Sequence, residues 1–556
     1  MTTRQEALAS LTASGPFELI EDLSAGYPVR LYRNAPASLR DVLIATRAQG
    51  ERPFLIYEDE VLSYETHFRR VAGLARRLQE AGVTKGDRVA IGMRNYPEWS
   101  ISFFAVQAIG AIAVALNAWW TTAELEFALE DSAPAALLID GERLERLRPL
   151  FDRHAFRAVY VARRGGVEGG EDFPTNEDPA LPDALVEPHD LSTILYTSGT
   201  TGKPKGAMAS HRNHATNIMN SMLNGAVGRA VAGLPDPEPG GPQPGMLQTF
   251  PFFHIGGLSG LYGGAAGGVK MALMYKWVPH EGVRLVETHG LSSVAGVPIV
   301  VRQLLETAQA SGADLSTVIG VTSGGAPVPP DLIRRIGEQF QQRASPGNGY
   351  GLTETTSAVI INSGPDYLAN PDSVGRPAAT AQIRVVDDSG NDVAEGAIGE
   401  IWVRGPNVIP GYWRNPEATE AAFGGGWFRT GDLGYVDPAG LYHVVDRKKD
   451  VIIRGGENVY CAEVEAAILE QPEVMDAAVV GLPHDAYGEE VAAVVQVAPD
   501  LVDDATAEAI LTRLGETLAR FKIPTALRLT DRELPRTATG KVLKRELRPI
   551  YFAKES

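Results

Sequence analysis

The sequence predicts an α/β protein of mixed α+β character. A large N-terminal domain of layered βα subdomains carries a small β-unit and is followed by a small α+β domain. Three observations lead there. Helix-like and strand-like runs alternate through roughly the first two-thirds of the chain, the pattern of helices layered on sheets. From Ile383 to Arg404 short strand-like runs are broken by Asp387-Asp388-Ser389-Gly390 and Gly396, which reads as a β-unit rather than another βα pair. Beyond Lys449, Glu463–Glu470, Ala477–Leu482 and Val491–Val497 form a compact α+β pattern. The expected divisions are an N-terminal extension over residues 1–36, a large domain over 37–448 and a small domain over 449–556.

Taken in order, Tyr64–Ala81 is an amphipathic helix, Arg88–Met93 a strand, Trp99–Gly110 a helix and Ala111–Leu116 a strand. The stretch Arg164–Asp190, rich in Gly, Pro and acids, and Gly233–Gly245, with five prolines, read as surface loops or linkers. Ser192–Leu195 is strand-like. The extension reads either as a packing arm or as a cover near the substrate. No internal repeat is present.

Composition narrows the class. With 44% hydrophobic and 22% charged residues among 556, the chain can bury a sizeable core. A net charge of −18 argues against generic affinity for nucleic acid or anionic membranes, so an anionic ligand must meet a local basic cluster. Cys461 is the sole cysteine, which excludes an intrachain disulfide and a multi-cysteine metal site and fits a reducing, cytoplasmic setting. Met1–Gly15 lacks the apolar run of a secretory signal. The most apolar stretch, Ile101–Trp120, is interrupted by Gln107, Gly110 and Asn117 and fits a buried helix and strand better than a membrane span.

Chemistry concentrates first in Tyr196-Thr-Ser-Gly-Thr-Thr-Gly-Lys-Pro-Lys-Gly206. Glycines let backbone N–H groups approach oxyanions, hydroxyls add adjustable hydrogen bonds, and Lys203 and Lys205 supply charge. Pro204 after Lys203 excludes a Walker A loop, which needs Ser or Thr there. Downstream, in order, stand Tyr350-Gly-Leu-Thr-Glu354, Thr430-Gly-Asp432, Asp446-Arg-Lys-Lys-Asp450 with Arg454-Gly-Gly-Glu-Asn458, and Pro535-Arg-Thr-Ala-Thr-Gly-Lys541.

This ordered set resembles the AMP-forming adenylating superfamily, which includes acyl-CoA synthetases, peptide-synthetase adenylation domains and firefly-type luciferases. The resemblance runs from about Ser38 nearly to the C-terminus. It implies that a carboxylate attacks the α-phosphate of ATP, with Mg²⁺ and CoA as the other cofactor and co-substrate. ATP and AMP would be held by Thr197, Ser198, Gly199, Thr200, Thr201, Gly202, Lys203 and Lys205, and by Gly324, Gly325, Ala326 and Pro327 beside the base. Gly349, Tyr350, Gly351 and Thr353 would complete the nucleotide pocket, with Asp432 and Arg447 on the ribose. Lys541 would bridge carboxylate and α-phosphate as a compact cation, and Glu354 with Thr197 would hold Mg²⁺. Lys449 matches the hinge on which the small domain turns, and Gly455 and Gly456 match the loop lining the pantetheine tunnel. Cys461 departs from the proline usual there and has no catalytic role in the resemblance.

For the acid, Phe250-Pro-Phe-Phe-His-Ile-Gly-Gly-Leu258 resembles the segment bordering the substrate carboxylate, with His254 as gate. Gly351 stands where acetate-specific relatives place tryptophan nearby, which implies a roomier acyl site. Gly256, Gly257, Gly260, Gly263 and Gly264 suit either a channel for an apolar tail or close helix packing. The short tail after Lys541 leaves no fused carrier domain and favours CoA as acceptor. The expected function is a ligase for a medium- to long-chain or comparably bulky hydrophobic acid. The alternatives are an aryl or phenylpropenoic acid:CoA ligase and an enzyme that loads a separate carrier. A homodimer is the family-level expectation.

Overall fold

The computed structural model describes residues 2–23, 26–197, 204–238, 240–325, 328, 330–340, 344–537 and 540–553. An eight-stranded sheet runs, edge to edge, through Gly411–Tyr412, Lys205–Ser210, Leu191–Thr197, Ile112–Ala115, Arg88–Gly92, Ala136–Asp140, Ala158–Ala162 and Glu171–Asp172. A nine-stranded sheet places Ser345–Leu352 beside Gly320–Gly324, in parallel register, and Ser357–Ser363, antiparallel. Helices Tyr64–Glu80, Pro97–Ala108 and Ile255–Ala266 lie in the core between these sheets, and further helices cover their outer faces. Among the described residues no helix is long and apolar enough to cross a membrane. Pro97–Ala108 is buried on nearly every face, as a helix enclosed by two sheets must be.

The periodic elements stand where the sequence expects them, with boundary shifts that have local causes. Pro97, pre-set for a first helical turn, starts its helix two residues before Trp99. The helix expected from Glu463 begins at Cys461, and the strands around Ala477 and Val491 lengthen into the hairpin Val474–His484 and Gly488–Val497. The β-unit is a five-stranded antiparallel sheet containing Gln382–Val386, Gly399–Arg404, Trp427–Val436 and Tyr442–Arg447. A last five-stranded sheet, from Ile452–Arg454 to Ala526–Thr530, forms the smaller C-terminal domain.

The extension packs on the large domain. Thr3 and Glu6 cap the helix Arg4–Ala13 reciprocally, and a hairpin of Leu19–Asp22 and Val29–Tyr32 follows. Ala7, Phe17 and Tyr32 pack on Met219, Leu223, Ala226 and Val227 of the long helix His211–Ala232. Tyr32 donates its hydroxyl to Asn220 Oδ1 at 2.8 Å, Arg4 donates to Asn224 Oδ1 at 3.0 Å, and Arg404 of the β-unit stacks on Tyr27. The arm thus ties that helix to the β-unit.

Candidate active site

Separate pieces of chain supply the candidate site residues. The strands flanking residues 198–203 pair antiparallel with Thr197 opposite Lys205. Ser198, Gly199, Thr200, Thr201, Gly202 and Lys203, like Ala326 and Pro327, lie outside the described residues. In the nine-stranded sheet Gly324 and Gly349 are register partners at the carboxyl ends of adjacent parallel strands, the usual ligand edge of an α/β sheet. Gly325 leaves its strand with φ +78° between Phe250 and Val297, a backbone conformation that favours glycine.

Tyr350 ends on the β-unit. Its hydroxyl donates to Asp432 Oδ2 at 2.7 Å, while Arg447 Nε meets Asp432 Oδ1 at 2.8 Å. Asp432 and Arg447 are direct cross-strand partners, so the β-sheet register itself builds the pair. Burial pushes the Asp432 carboxyl above the usual carboxylate range against the pull of Arg447, Tyr350 and Lys541, and burial likewise raises the Tyr350 phenol. An acidic group held this way is a strong acceptor for neutral hydroxyls such as those of a ribose.

Glu354 sits in the turn Thr353–Thr355, buried, and accepts from the Tyr412 hydroxyl at 2.8 Å. Lys205 Nζ stands 5.2 Å over the Tyr412 ring. Sequence reasoning missed Tyr412: it lies 58 residues from Glu354, and nothing in Gly411-Tyr-Trp-Arg-Asn415 marks it as a partner. Among the described residues no three His, Cys, Asp or Glu side chains cluster to hold a metal. A single carboxylate such as Glu354 fits Mg²⁺, which takes one or two carboxylates and fills its shell with phosphate oxygens and water.

Lys541 belongs to the small domain. Its N–H donates to Thr537 Oγ1 at 3.1 Å, and Gly540, at φ +80°, lays the loop on Val297 of the large domain, where a Cβ would come within 3.1 Å of that valine. The ammonium is reachable by water yet hemmed in by protein. That crowding lowers its pKa, with Arg447 and Lys449 acting in the same direction and Asp432 and Glu354 opposing. The expected cation therefore faces the two expected carboxylates.

His254 caps the helix Ile255–Ala266, its Nδ1 accepting from Gly256 N–H at 3.1 Å. That bond leaves the ring proton on Nε2. Burial, with Lys541 adding, lowers its pKa to about 4, so the ring is neutral at pH 7. Gly455 and Gly456 form the turn between Ile452–Arg454 and Glu457–Val459, with φ of +62° and +91°, which accounts for two glycines in succession. Cys461 is buried, donates to the Asp450 carbonyl, and has its thiol pushed up to about 12 by burial, which leaves no nucleophile there.

One reading of a small residue is corrected, and one open choice is narrowed. A Cβ on Gly351 would lie 2.0 Å from the Ser357 carbonyl oxygen, so its smallness serves strand packing and does not measure the acyl site. On the helix Ile255–Ala266, a Cβ at Gly257 would meet the Pro251 carbonyl at 2.1 Å, one at Gly260 would meet Gln248 at 2.9 Å and one at Gly264 would meet Met271 at 3.0 Å. Packing explains those three. Only Gly256, in ordinary contact with Phe250 and His254, and Gly263, with nothing within 4 Å, leave room.

Comparison with known proteins matches this arrangement. Residues 44–413 match the AMP-binding enzyme family and residues 463–541 the AMP-binding enzyme C-terminal domain. A feruloyl-CoA synthase from Amycolatopsis is 37% identical over 497 residues, covering 88% of this chain and 93% of that one. The o-succinylbenzoate CoA synthetase of Bacillus subtilis, solved with its acyl-adenylate intermediate, superposes with a TM-score of 0.76 at 30% identity over 91% and 97% of the chains. An anthranilate CoA ligase with anthranoyl-AMP gives 0.82 at 25% identity over 92% and 96%. With both parts of the AMP-binding enzyme family matched in order along its length, the chain belongs to that family, the AMP-forming adenylating superfamily.

Proposed function

We propose that the protein is an AMP-forming acid:CoA ligase whose acid is aromatic, an aryl or phenylpropenoic carboxylate. The observation that carries the ligase reading is that the Lys541 ammonium lies close enough to Asp432, Arg447 and Glu354 to feel their charges, with Tyr350 bonded to Asp432 and Tyr412 to Glu354. For the acid, the similar proteins named above carry aromatic acids in their names, and three of the five glycines that could have opened an apolar channel are consumed by packing. The medium- to long-chain reading is the less supported of the two. The Phe250 ring lies beside both Gly256 and Gly325, with carbons 3.6 Å and 3.7 Å from the Cβ positions there. Such a ring is suited to stack on a planar acid.

In the first half-reaction the carboxylate attacks the α-phosphorus of ATP and pyrophosphate leaves. Two anions must meet, and the Lys541 ammonium places positive charge where they do. Asp432 and Tyr350 fix the nucleoside, and the neutral His254 offers its Nε2–H at the carboxylate end without adding a second cation. Mg²⁺, when bound, neutralises phosphate charge; Glu354, with Thr197 on the neighbouring strand, would hold it. In the second half-reaction the CoA thiol attacks the acyl carbonyl and AMP leaves. The Lys541 loop, resting on Val297, closes that side, so the small domain must turn away. Lys449, in the link between Tyr442–Arg447 and Ile452–Arg454, is the proposed pivot, and Gly455–Gly456 the loop that then borders the thiol.

The test is incubation with ATP, Mg²⁺, CoA and a panel of fatty, benzoic and cinnamic acids, read by mass spectrometry. Aryl-CoA and AMP are expected. Fatty acyl-CoA alone would overturn the acid class, and acyl-AMP without thioester would make the protein a carrier-loading enzyme.

A further inference from the structure

Resting on the adenylation reading above, we infer that Tyr412 is a positioning residue for Glu354 and keeps that carboxylate available to the nucleotide's divalent cation. Its hydroxyl donates to one carboxylate oxygen at 2.8 Å, and among the described residues no other group hydrogen-bonds that carboxylate. The second oxygen therefore keeps its lone pairs for a hard cation. The opposite end of the logic is Lys205. Its ammonium lies 5.2 Å over the face of the same ring and forms no ion pair with a described residue. Perched there, the lysine is held by the ring quadrupole instead of by Glu354. A direct Lys205–Glu354 pair would cancel both charges; one tyrosine, touching each at a different place, keeps them apart and in reach of the same phosphates.

The surrounding chain is built to fix this tyrosine. Gly411–Tyr412 adds an edge strand to Lys205–Ser210, with Tyr412 opposite Ala207. Tyr412 N–H donates to Thr419 Oγ1 at 3.0 Å, and Gly411, at φ +151°, admits Thr419 where a Cβ would come within 2.5 Å of its methyl. The same segment grips the Glu354 turn from behind: Ile409 N–H donates to the Glu354 carbonyl at 3.0 Å and Asn407 Nδ2 to the Thr355 carbonyl at 2.9 Å. Asn407 is itself flanked by carbonyls that Asn213 of the long helix holds, at Pro406 and Val408.

The test uses the full-length protein and Tyr412→Phe, which keeps the ring beneath Lys205 and removes only the donor. Binding of Mn²⁺ in the presence of a non-hydrolysable ATP analogue, read by electron paramagnetic resonance, is expected to weaken about tenfold, the scale of one hydrogen bond to a charged group. The Mg²⁺ concentration needed for half-maximal acid-dependent pyrophosphate release rises in step, while thioester formation from supplied acyl-AMP and CoA is unchanged. Glu354→Gln combined with Tyr412→Phe should bind Mn²⁺ no more weakly than Glu354→Gln alone. Mn²⁺ binding by Tyr412→Phe within twofold of wild type, or additive losses in the double variant, overturns the assignment. Absence of acid-dependent pyrophosphate release from the wild type would instead remove the adenylation reading.

Discussion

The Tyr350 hydroxyl and Asp432 Oδ2 lie 2.7 Å apart although 82 residues separate them and they belong to different sheets. The bond joins the nine-stranded sheet to the β-unit, and Arg447 completes it from the neighbouring strand. Asp432→Asn keeps the size but weakens the partner of Arg447 and the acceptor for hydroxyls. The expected result is a KM for ATP raised about tenfold or more, with the KM for the acid changed little; steady-state kinetics in both substrates checks it.

Lys541 and Lys449 separate the two half-reactions. Lys541→Ala should lower acid-dependent pyrophosphate release by about a hundredfold or more, while conversion of supplied acyl-AMP to thioester persists. Lys449→Pro should do the reverse, slowing thioester formation and sparing adenylation, because it stiffens the link and leaves the Lys541 loop on Val297. Equal slowing of both steps by Lys449→Pro would remove the pivot from that position.

Gly256 borders both Phe250 and His254. Gly256→Phe places a ring against Phe250 and His254, whose atoms stand 3.4–3.7 Å from the Cβ position. The KM for aryl acids should rise about tenfold or more and that for ATP stay put, and a smaller acid such as propionate should be favoured relative to the aryl acid.

Acid lability follows from buried histidines. Burial lowers His67 and His214 to about 3 and His211 and His254 to about 4, below the ordinary 6.5. The unfolded chain therefore binds protons that the folded chain does not between roughly pH 6.5 and 4, and stability falls as pH falls through that window. Each such histidine contributes a slope of up to about 1.4 kcal/mol per pH unit. Urea unfolding at pH 7, 6 and 5 checks it, and His67→Gln should flatten the dependence.

Much of the fold was legible because periodicity records burial. Tyr64–Glu80 carries its apolar residues on one face and packs as expected, and alternating βα runs became the two layered sheets. The candidate site was legible through the resemblance: alone, Lys541, Glu354, Asp432 and Arg447 would pass for surface or turn residues, and only the order of the short stretches that hold them singles them out. What escaped was relational. Tyr412 acquires its role only when the edge strand it occupies is paired beside Lys205, a contact no local pattern encodes. The extension, polar and broken by Gly15, Pro16, Gly26 and Pro28, hides its few packing residues, Ala7, Phe17 and Tyr32, among turn formers. Glycines were ambiguous for a deeper reason: an absent side chain leaves the same mark whether a ligand or another backbone fills the space.

That last distinction bears on any attempt to evolve a new preference. Saturation libraries at Gly351 and Gly257 would be populated mostly by clones that express poorly, since every replacement drives a carbon to about 2 Å from a main-chain oxygen, at Ser357 and Pro251 respectively. Diversity introduced at Gly256 and Gly263 would instead survive selection for solubility, and there sequence variation can be traded for a change in which acid is accepted.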